Sequence, residues 1–198
     1  SLGISVVPGI EISAYEPGSE SRLSVLGYNF TADDRRIRER REPARVARHE
    51  RTLQLIDQLK SRGSTISVQT VVERVTGEMT DREREIWPGT LCKQHLWPLV
   101  DADSLHAMDD RPEPARLVNV RDAIETISGA GGVAVLGSSG DQIDAELVAE
   151  MTKWGLGGVE LNHPEMNPDR RRRLFGFANA HDLLTTGGTG VVAGNSAN

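Results

Sequence analysis

The chain is short of the residues that would tie it to several large protein classes. It has a single cysteine, Cys92, in 198 residues, so no internal disulfide can form. A reducing compartment, the cytoplasm, is the expected setting. Positive charge is in deficit, with 23 basic against 29 acidic residues and a formal net charge of −6. That balance argues against general nucleic-acid binding and leaves room only for a local basic patch. No apolar run approaches the roughly 20 residues needed to cross a bilayer, so no membrane association is expected. A signal peptide is not recognisable either. There is no Walker loop and no paired-glycine dinucleotide fingerprint. Aromatics are scarce at 4%, but 37% hydrophobic and 26% charged residues are ordinary for a soluble globular protein. The length suits one sizeable domain with room for a subdomain.

What is present changes character along the chain. "ISVVPGIEIS" carries two β-branched runs, Ile4–Val7 and Ile10–Ile12, around Pro8-Gly9. "RLSVLGYNF" (Arg22–Phe30) is a second strand candidate, and the "YEPGSES" between them is rich in turn formers. From Asp33 to Arg62 the chain is helical and highly charged, with Val46, Leu53, Ile56 and Leu59 at helical spacing and Gly63 as a stop. Its dense basic run is interleaved with Glu39, Glu42 and Glu50, the pattern of a solvated helix face rather than a phosphate patch. Ser67 is placed to cap a short helix carrying Val68, Val71, Val72 and Val75, ended by Gly77. From Glu78 to Leu117, Pro88, Pro98, Pro112 and Pro114 break the pattern and acids cluster at Asp101, Asp103, Asp109 and Asp110, which predicts loops with short helices.

After Leu117 the pattern becomes regular. Val120, Ala123, Ile124 and Ile127 mark a helix, "GVAVL" (Gly132–Leu136) a buried strand, and Ile143, Leu147, Met151 and Trp154 another helix. "GGVEL" (Gly157–Leu161) is a strand, and Asn167-Pro168-Asp169 is a helix start made of a cap, a first-turn proline and a first-turn acid. Leu174, Phe177, Ala178 and His181 form the buried stripe of that helix, and "LLTT" is the last strand. Helix and strand thus alternate over residues 118–186, which predicts parallel β/α architecture.

Three segments together resemble the polymerase and histidinol phosphatase (PHP) superfamily of metal-dependent phosphoesterases. "VVPGIEIS" is similar to the family's Pro-Gly-[Ile/Val]-Glu-[Ile/Leu] strand. "AIETISGAGGVAVL" resembles the helix and strand that lead into the family's Ala-His-Pro, and "GGVELNHPEMNPDRRRRLFGFANAHDLLTTGG" resembles the final helix and strand before Ser-Asp-x-His-Gly. The resemblance implies an α/β fold of the PHP type, a distorted (β/α)7 barrel with its N-terminal strands outside this sequence and a mostly helical insertion. The parts would be residues 1–32 as barrel strands, 33–117 as the insertion and 118–198 as the C-terminal β/α units.

The resemblance also implies a site. Two or three divalent ions, Mn, Fe or Zn, would lie at the C-terminal strand ends, activate water as hydroxide and neutralise phosphoryl charge. Glu11 falls on the family's metal-bridging glutamate. Lys93 and His95, in "TLCKQHLWPLV", are the counterparts of basic residues that meet the substrate phosphate. Elsewhere the pattern departs from the family's. Ser24 stands where a ligand histidine is usual, Gly137, Ser138 and Ser139 replace Ala-His-Pro, and Thr189, Gly190, Val191 and Val192 follow Gly187-Gly188 in place of Ser-Asp-x-His. The site is thus incomplete or degenerate, either because its ligand loops are substituted or because they are absent from this sequence. His163, just past a strand end, is a rim candidate, while His49, His106 and His181 read as ordinary residues and Cys92 has no partner for nucleophilic chemistry. The expected function is hydrolysis of a small phosphorylated substrate, such as a nucleotide, by metal-bound hydroxide. The 198 residues by themselves are expected to be inactive. The alternative is a non-catalytic PHP-like domain that binds a ligand or partner after losing its metals.

Overall fold

The structure, a computed structural model, describes residues 3–19, 21–87, 89–96, 98–100, 118–138, 143–164 and 166–188, with the backbone alone for Ile86 and Lys93. The described residues form two compact units, one from residues 3–38 and 118–188, the other from residues 39–100.

The first unit is built on a six-stranded sheet. Of the two β-branched runs around Pro8, only the second enters it. Pro8 has no N–H to give a ladder, and Ile4, Val6 and Val7 before it are exposed. Strand β1 (Gly9–Glu16) pairs antiparallel with β2 (Ser21–Tyr28). Their connection is too short for a parallel crossover, and the Glu16 carboxylate closes it by accepting from the Gly18 and Ser19 N–H groups at 3.0 and 2.5 Å. The remaining strands are β3 (Val118–Asn119), β4 (Val133–Leu136), β5 (Leu156–Asn162) and β6 (Leu184–Gly187), in the order β3-β1-β2-β4-β5-β6. Pairs β4–β5, β5–β6 and β1–β3 are parallel, as alternating helices and strands predict, while β2–β4 is antiparallel. The fold is therefore mixed α/β. The six described strands make an open sheet, with no pairing of β3 to β6, so the expected barrel is not closed by them.

Helices cover one face of this sheet. The Ser67 and Asn167 caps are those that the sequence announces, and the structure adds three more. In the second unit, α1 (Arg35–Ser61) leads to α2 (Val68–Gly77), where the Ser67 hydroxyl accepts from the Thr70 N–H, and to α3 (Asp81–Ile86), opened by a Thr80–Glu83 capping box. In the first unit, α4 (Val120–Gly129) is capped by Asn119, α5 (Ala145–Lys153) by Asp144 and α6 (Pro168–Ala180) by Asn167. Side chains alternate along each strand. Ile12 and Ala14 of β1, Leu23 and Val25 of β2, Ala134 and Leu136 of β4, and Val159 and Leu161 of β5 point to the helical side. There they pack with Ala123, Ile124 and Ile127 of α4, Val148 and Met151 of α5, and Leu174 and Ala178 of α6. The alternate positions, among them Glu11, Ser13, Ser24, Tyr28 and Glu160, face the opposite side.

The second unit has its own apolar cluster of Leu55, Ile56, Leu59, Ile66, Val71, Leu91 and Leu96. The basic run of α1 is largely exposed, as its interleaved charges predict, although Arg45 pairs with Glu42 and reaches the Thr90 hydroxyl. A short 3-10 turn, Lys93–Leu96, carries the two residues expected to meet phosphate. No helix among the described residues is long and apolar enough to cross a membrane.

Candidate active site

Strand register decides which side chains share the face of the sheet opposite the helices. Glu11 lies opposite Leu26, and Ser24 opposite Ser13. The diagonal Glu11–Ser24 pair is within side-chain reach, and the Ser24 hydroxyl donates to Glu11 Oε1 at 2.7 Å. Ser24 thus does not stand in for a ligand histidine. It orients the carboxylate beside it and leaves Glu11 Oε2 outside that hydrogen bond.

Across β4, the Gly137 N–H continues the ladder by donating to the Ser24 carbonyl at 2.8 Å. The next amide, that of Ser138, turns to a side chain and donates to Glu160 Oε2 at 3.0 Å. Glu160 belongs to β5, opposite Thr186 of β6, and is only 5% exposed. Tyr28, on the same face of β2, joins the two carboxylates electrostatically. Burial pushes its phenol above the ordinary tyrosine range, the negative charges of Glu160 and Glu11 add to the shift, and the nearby Thr186 hydroxyl acts the other way. One face of the sheet therefore gathers Glu11, Ser24, Tyr28, Glu160 and Thr186 from four strands. Such a set can orient donors and concentrate negative charge, which is the electrostatic requirement for attracting cations.

Glu160 and Tyr28 are the residues that reading the sequence misses as site candidates. "GGVEL" reads as a buried strand, and an acid inside an apolar run was the available signal, because such a group is rarely buried without a purpose or a partner. Gly137 and Ser138 have the places just described, while Ser139 and residues 189–192 lie outside the described residues, as do His106, Asp101, Asp103, Asp109 and Asp110. His163 directly follows β5, and His181 ends α6 with its N–H donating to the Phe177 carbonyl.

The expected phosphate-binding pair belongs to the second unit. The backbone of Lys93 opens the 3-10 turn, and its side chain lies outside the described part. His95 Nδ1 accepts from the Cys92 N–H at 3.1 Å, and its Nε2 is 3.6 Å from Cys92 Sγ. Burial holds the His95 imidazole below the usual histidine range, which favours its neutral form. His49 plays a similar local role, its Nδ1 accepting from the Leu91 N–H at 3.0 Å.

The described strands thus form an open α/β sheet with helices on one face and the Glu11 and Glu160 carboxylates on the other. The chain is 26% identical to a phosphoribosyl 1,2-cyclic phosphate 1,2-diphosphodiesterase of Eggerthella lenta, over 95% of this chain and 73% of that protein. Its fold matches a crystal structure from Bifidobacterium adolescentis, provisionally named a metal-dependent phosphoesterase, with a TM-score of 0.75 and 25% identity over 94% of this chain and 68% of the other. An amidohydrolase from Chromobacterium violaceum, with bound sulfate and no metal, shares the fold at a TM-score of 0.66 and 18% identity, over 92% of this chain and 66% of the other. No protein-family model matches the chain. The PHP resemblance is borne out: the chain is a relative of the PHP-type phosphoesterases. Its relatives are hydrolases of phosphoesters, and the solved neighbour is metal-dependent by name. Among the described residues no group of three or more His, Cys, Asp or Glu side chains could hold a metal ion, so they do not complete a ligand set around Glu11.

Proposed function

We propose that this chain provides part of the active site of a metal-dependent phosphoesterase that hydrolyses a small phosphorylated substrate. The observation that carries the reading is the Glu11–Ser24 pair. A carboxylate at the position of the family's metal glutamate lies on the sheet face opposite the helices, with one oxygen held by a neighbouring hydroxyl at 2.7 Å. Hydrogen bonds of this kind orient ligand carboxylates and are commonly needed for full metal affinity. The named activity of the Eggerthella relative favours a cyclic phosphodiester of a sugar phosphate as the substrate. A nucleotide, which shares the sugar phosphate, is the related choice. Lys93 and His95 would meet the substrate's phosphate, with a neutral His95 acting through hydrogen bonding rather than charge. Divalent ions of the Mn, Fe or Zn type would neutralise phosphoryl charge and supply the activated water. We place the activity in the cytoplasm, in keeping with the single cysteine.

The alternative reading is a PHP-like domain that binds its ligand without catalysis. The intact protein separates the two. Assayed with bis(p-nitrophenyl) phosphate and Mn²⁺, it should hydrolyse the diester and lose at least roughly a hundredfold in rate on Glu11→Ala. Chelation should abolish turnover, and returning Mn²⁺ should restore it. Absence of turnover, with no metal retained after reconstitution, would overturn the enzyme reading in favour of the binding domain.

A further inference from the structure

The resemblance assigns no role to Glu160, yet it is a carboxylate set into the strand layer with two loops against it. We propose that Glu160 is a positioning residue: it clamps the chain leaving β4 to the chain leaving β6 and so fixes the rim of the sheet that carries Glu11 and Ser24. The catalytic meaning of that clamp rests on the phosphoesterase reading.

A carboxylate only 5% exposed is costly unless its oxygens are satisfied. Here Oε2 is hydrogen-bonded at one strand exit, and Oε1 lies against the other without a hydrogen bond to it. Oε2 accepts from the Ser138 N–H at 3.0 Å, two residues past the end of β4. Oε1 faces Gly188, just past the end of β6, where an added β-carbon would lie 2.7 Å from it. Gly188 is itself held, since its N–H donates to the Asn162 carbonyl at 2.8 Å. The carboxylate therefore reaches to both sides of its own strand, to β4 and to β6. On the β4 side the link continues, because the preceding amide, that of Gly137, donates to Ser24 at 2.8 Å, and Ser24 holds Glu11. The result is one hydrogen-bonded series from Glu160 through the β4 exit to Glu11. Ionised acceptors bind backbone N–H groups more strongly than neutral ones, which explains why an acid stands here rather than an aliphatic residue such as Val159 or Leu161 on the other face. Gly188 is the complementary feature: any larger residue displaces the carboxylate.

The test follows the Ser138 amide in the intact protein by NMR. Its chemical shift should move in Glu160→Gln, which keeps an acceptor but not the charge. Hydrogen exchange at Ser138 should accelerate roughly tenfold or more in Glu160→Ala and stay near wild type in Glu160→Gln. Against bis(p-nitrophenyl) phosphate, Glu160→Ala should lower kcat with little change in KM, and Glu160→Gln should recover most of it. Gly188→Ala should reproduce the Ala phenotype, and combining it with Glu160→Ala should add little. If Glu160→Ala does not fold, Glu160→Gln and Gly188→Ala carry the decision. A Ser138 amide whose shift ignores Glu160→Gln, or a Gly188→Ala variant with unchanged Ser138 exchange and kcat, would overturn the clamp. A wild type without metal-dependent hydrolysis would instead sink the phosphoesterase reading alone, since the amide measurements need no turnover.

Discussion

Gly27 lies on β2 beneath the face that carries Ser24 and Tyr28, and its replacement by alanine tests how closely α4 must approach the sheet. A β-carbon at Gly27 would lie 2.8 Å from Ile10 Cγ2 and 3.0 Å from both Cδ1 and Cγ1 of Ile127. Its backbone is not left-handed, so alanine meets no torsional penalty and would gain about 0.5–1 kcal/mol over glycine in a strand. The overlap opposes that gain. Ile127 is fully buried on α4 and cannot swing away, and overpacking of this kind costs about 1–3 kcal/mol. Gly27→Ala should therefore destabilise by about 1–2 kcal/mol net. Ile127→Ala alone should cost about 2–5 kcal/mol through the cavity it leaves. The double variant fills part of that cavity with the new methyl group. Its loss should fall short of the sum by about 1 kcal/mol, a coupling typical of residues in contact. Urea denaturation of the four proteins, followed by circular dichroism and tryptophan fluorescence, measures the cycle. A neutral or stabilising Gly27→Ala, or additivity within about 0.3 kcal/mol, would show that α4 has slack over β2 and would refute the packing argument.

Three further outcomes are expected. Asn167 Oδ1 accepts from the Arg170 N–H at 2.8 Å at the start of α6, so Asn167→Ala should cost about 1 kcal/mol in denaturation, and Asn167→Asp should restore most of it. Tyr28 is a weak acid whose folded-state value is raised, so the unfolded chain ionises first as pH rises past the ordinary value of 10.0. Stability should fall above that pH by linkage; ultraviolet titration should show Tyr28 ionising above the ordinary value, and a Tyr28 transition at or below it would contradict the arrangement of Glu160 and Glu11 around it. For His95 the folded value is lowered by burial from 6.5, so the contribution is present above that pH and is lost as the pH falls through it toward the folded value. An NMR titration should place its midpoint below 6.5, and His95→Gln should flatten that part of the stability profile.

Local signals made much of the fold legible. Asn167-Pro168-Asp169 fixed the start of α6, Ser67 that of α2, and the spacing of Val120, Ala123, Ile124 and Ile127 the buried face of α4. Each depends on groups within a few residues of one another. One misreading has a non-local cause. Ile4–Val7 has the composition of a strand, but strand formation needs a partner ladder, and the register of β1 against β2 begins only at Gly9. The parallel pattern expected over residues 118–186 holds for β4, β5 and β6, and the β1–β2 hairpin outside it is antiparallel because its turn is too short for any crossover.

The site divides in the same way. Glu11 could be found because Pro8, Gly9 and Ile10 stand beside it in sequence and give the glutamate a recognisable context. Glu160 has no such context, since the groups that give it a role are Ser138, 22 residues before it, and the α-carbon of Gly188, well after it. Only the parallel pairing of β5 with both β4 and β6 brings those groups to one carboxylate. The antiparallel β1–β2 pairing likewise explains why Ser24 looks like a lost ligand in sequence and an orienting donor in the fold. Its partner Glu11 is 13 residues away but lies on a diagonal of one hairpin. A residue type at a single position therefore does not show whether a site has decayed. The neighbour that the register supplies decides what that residue can do, and here it makes Ser24 a support for the carboxylate expected to hold metal.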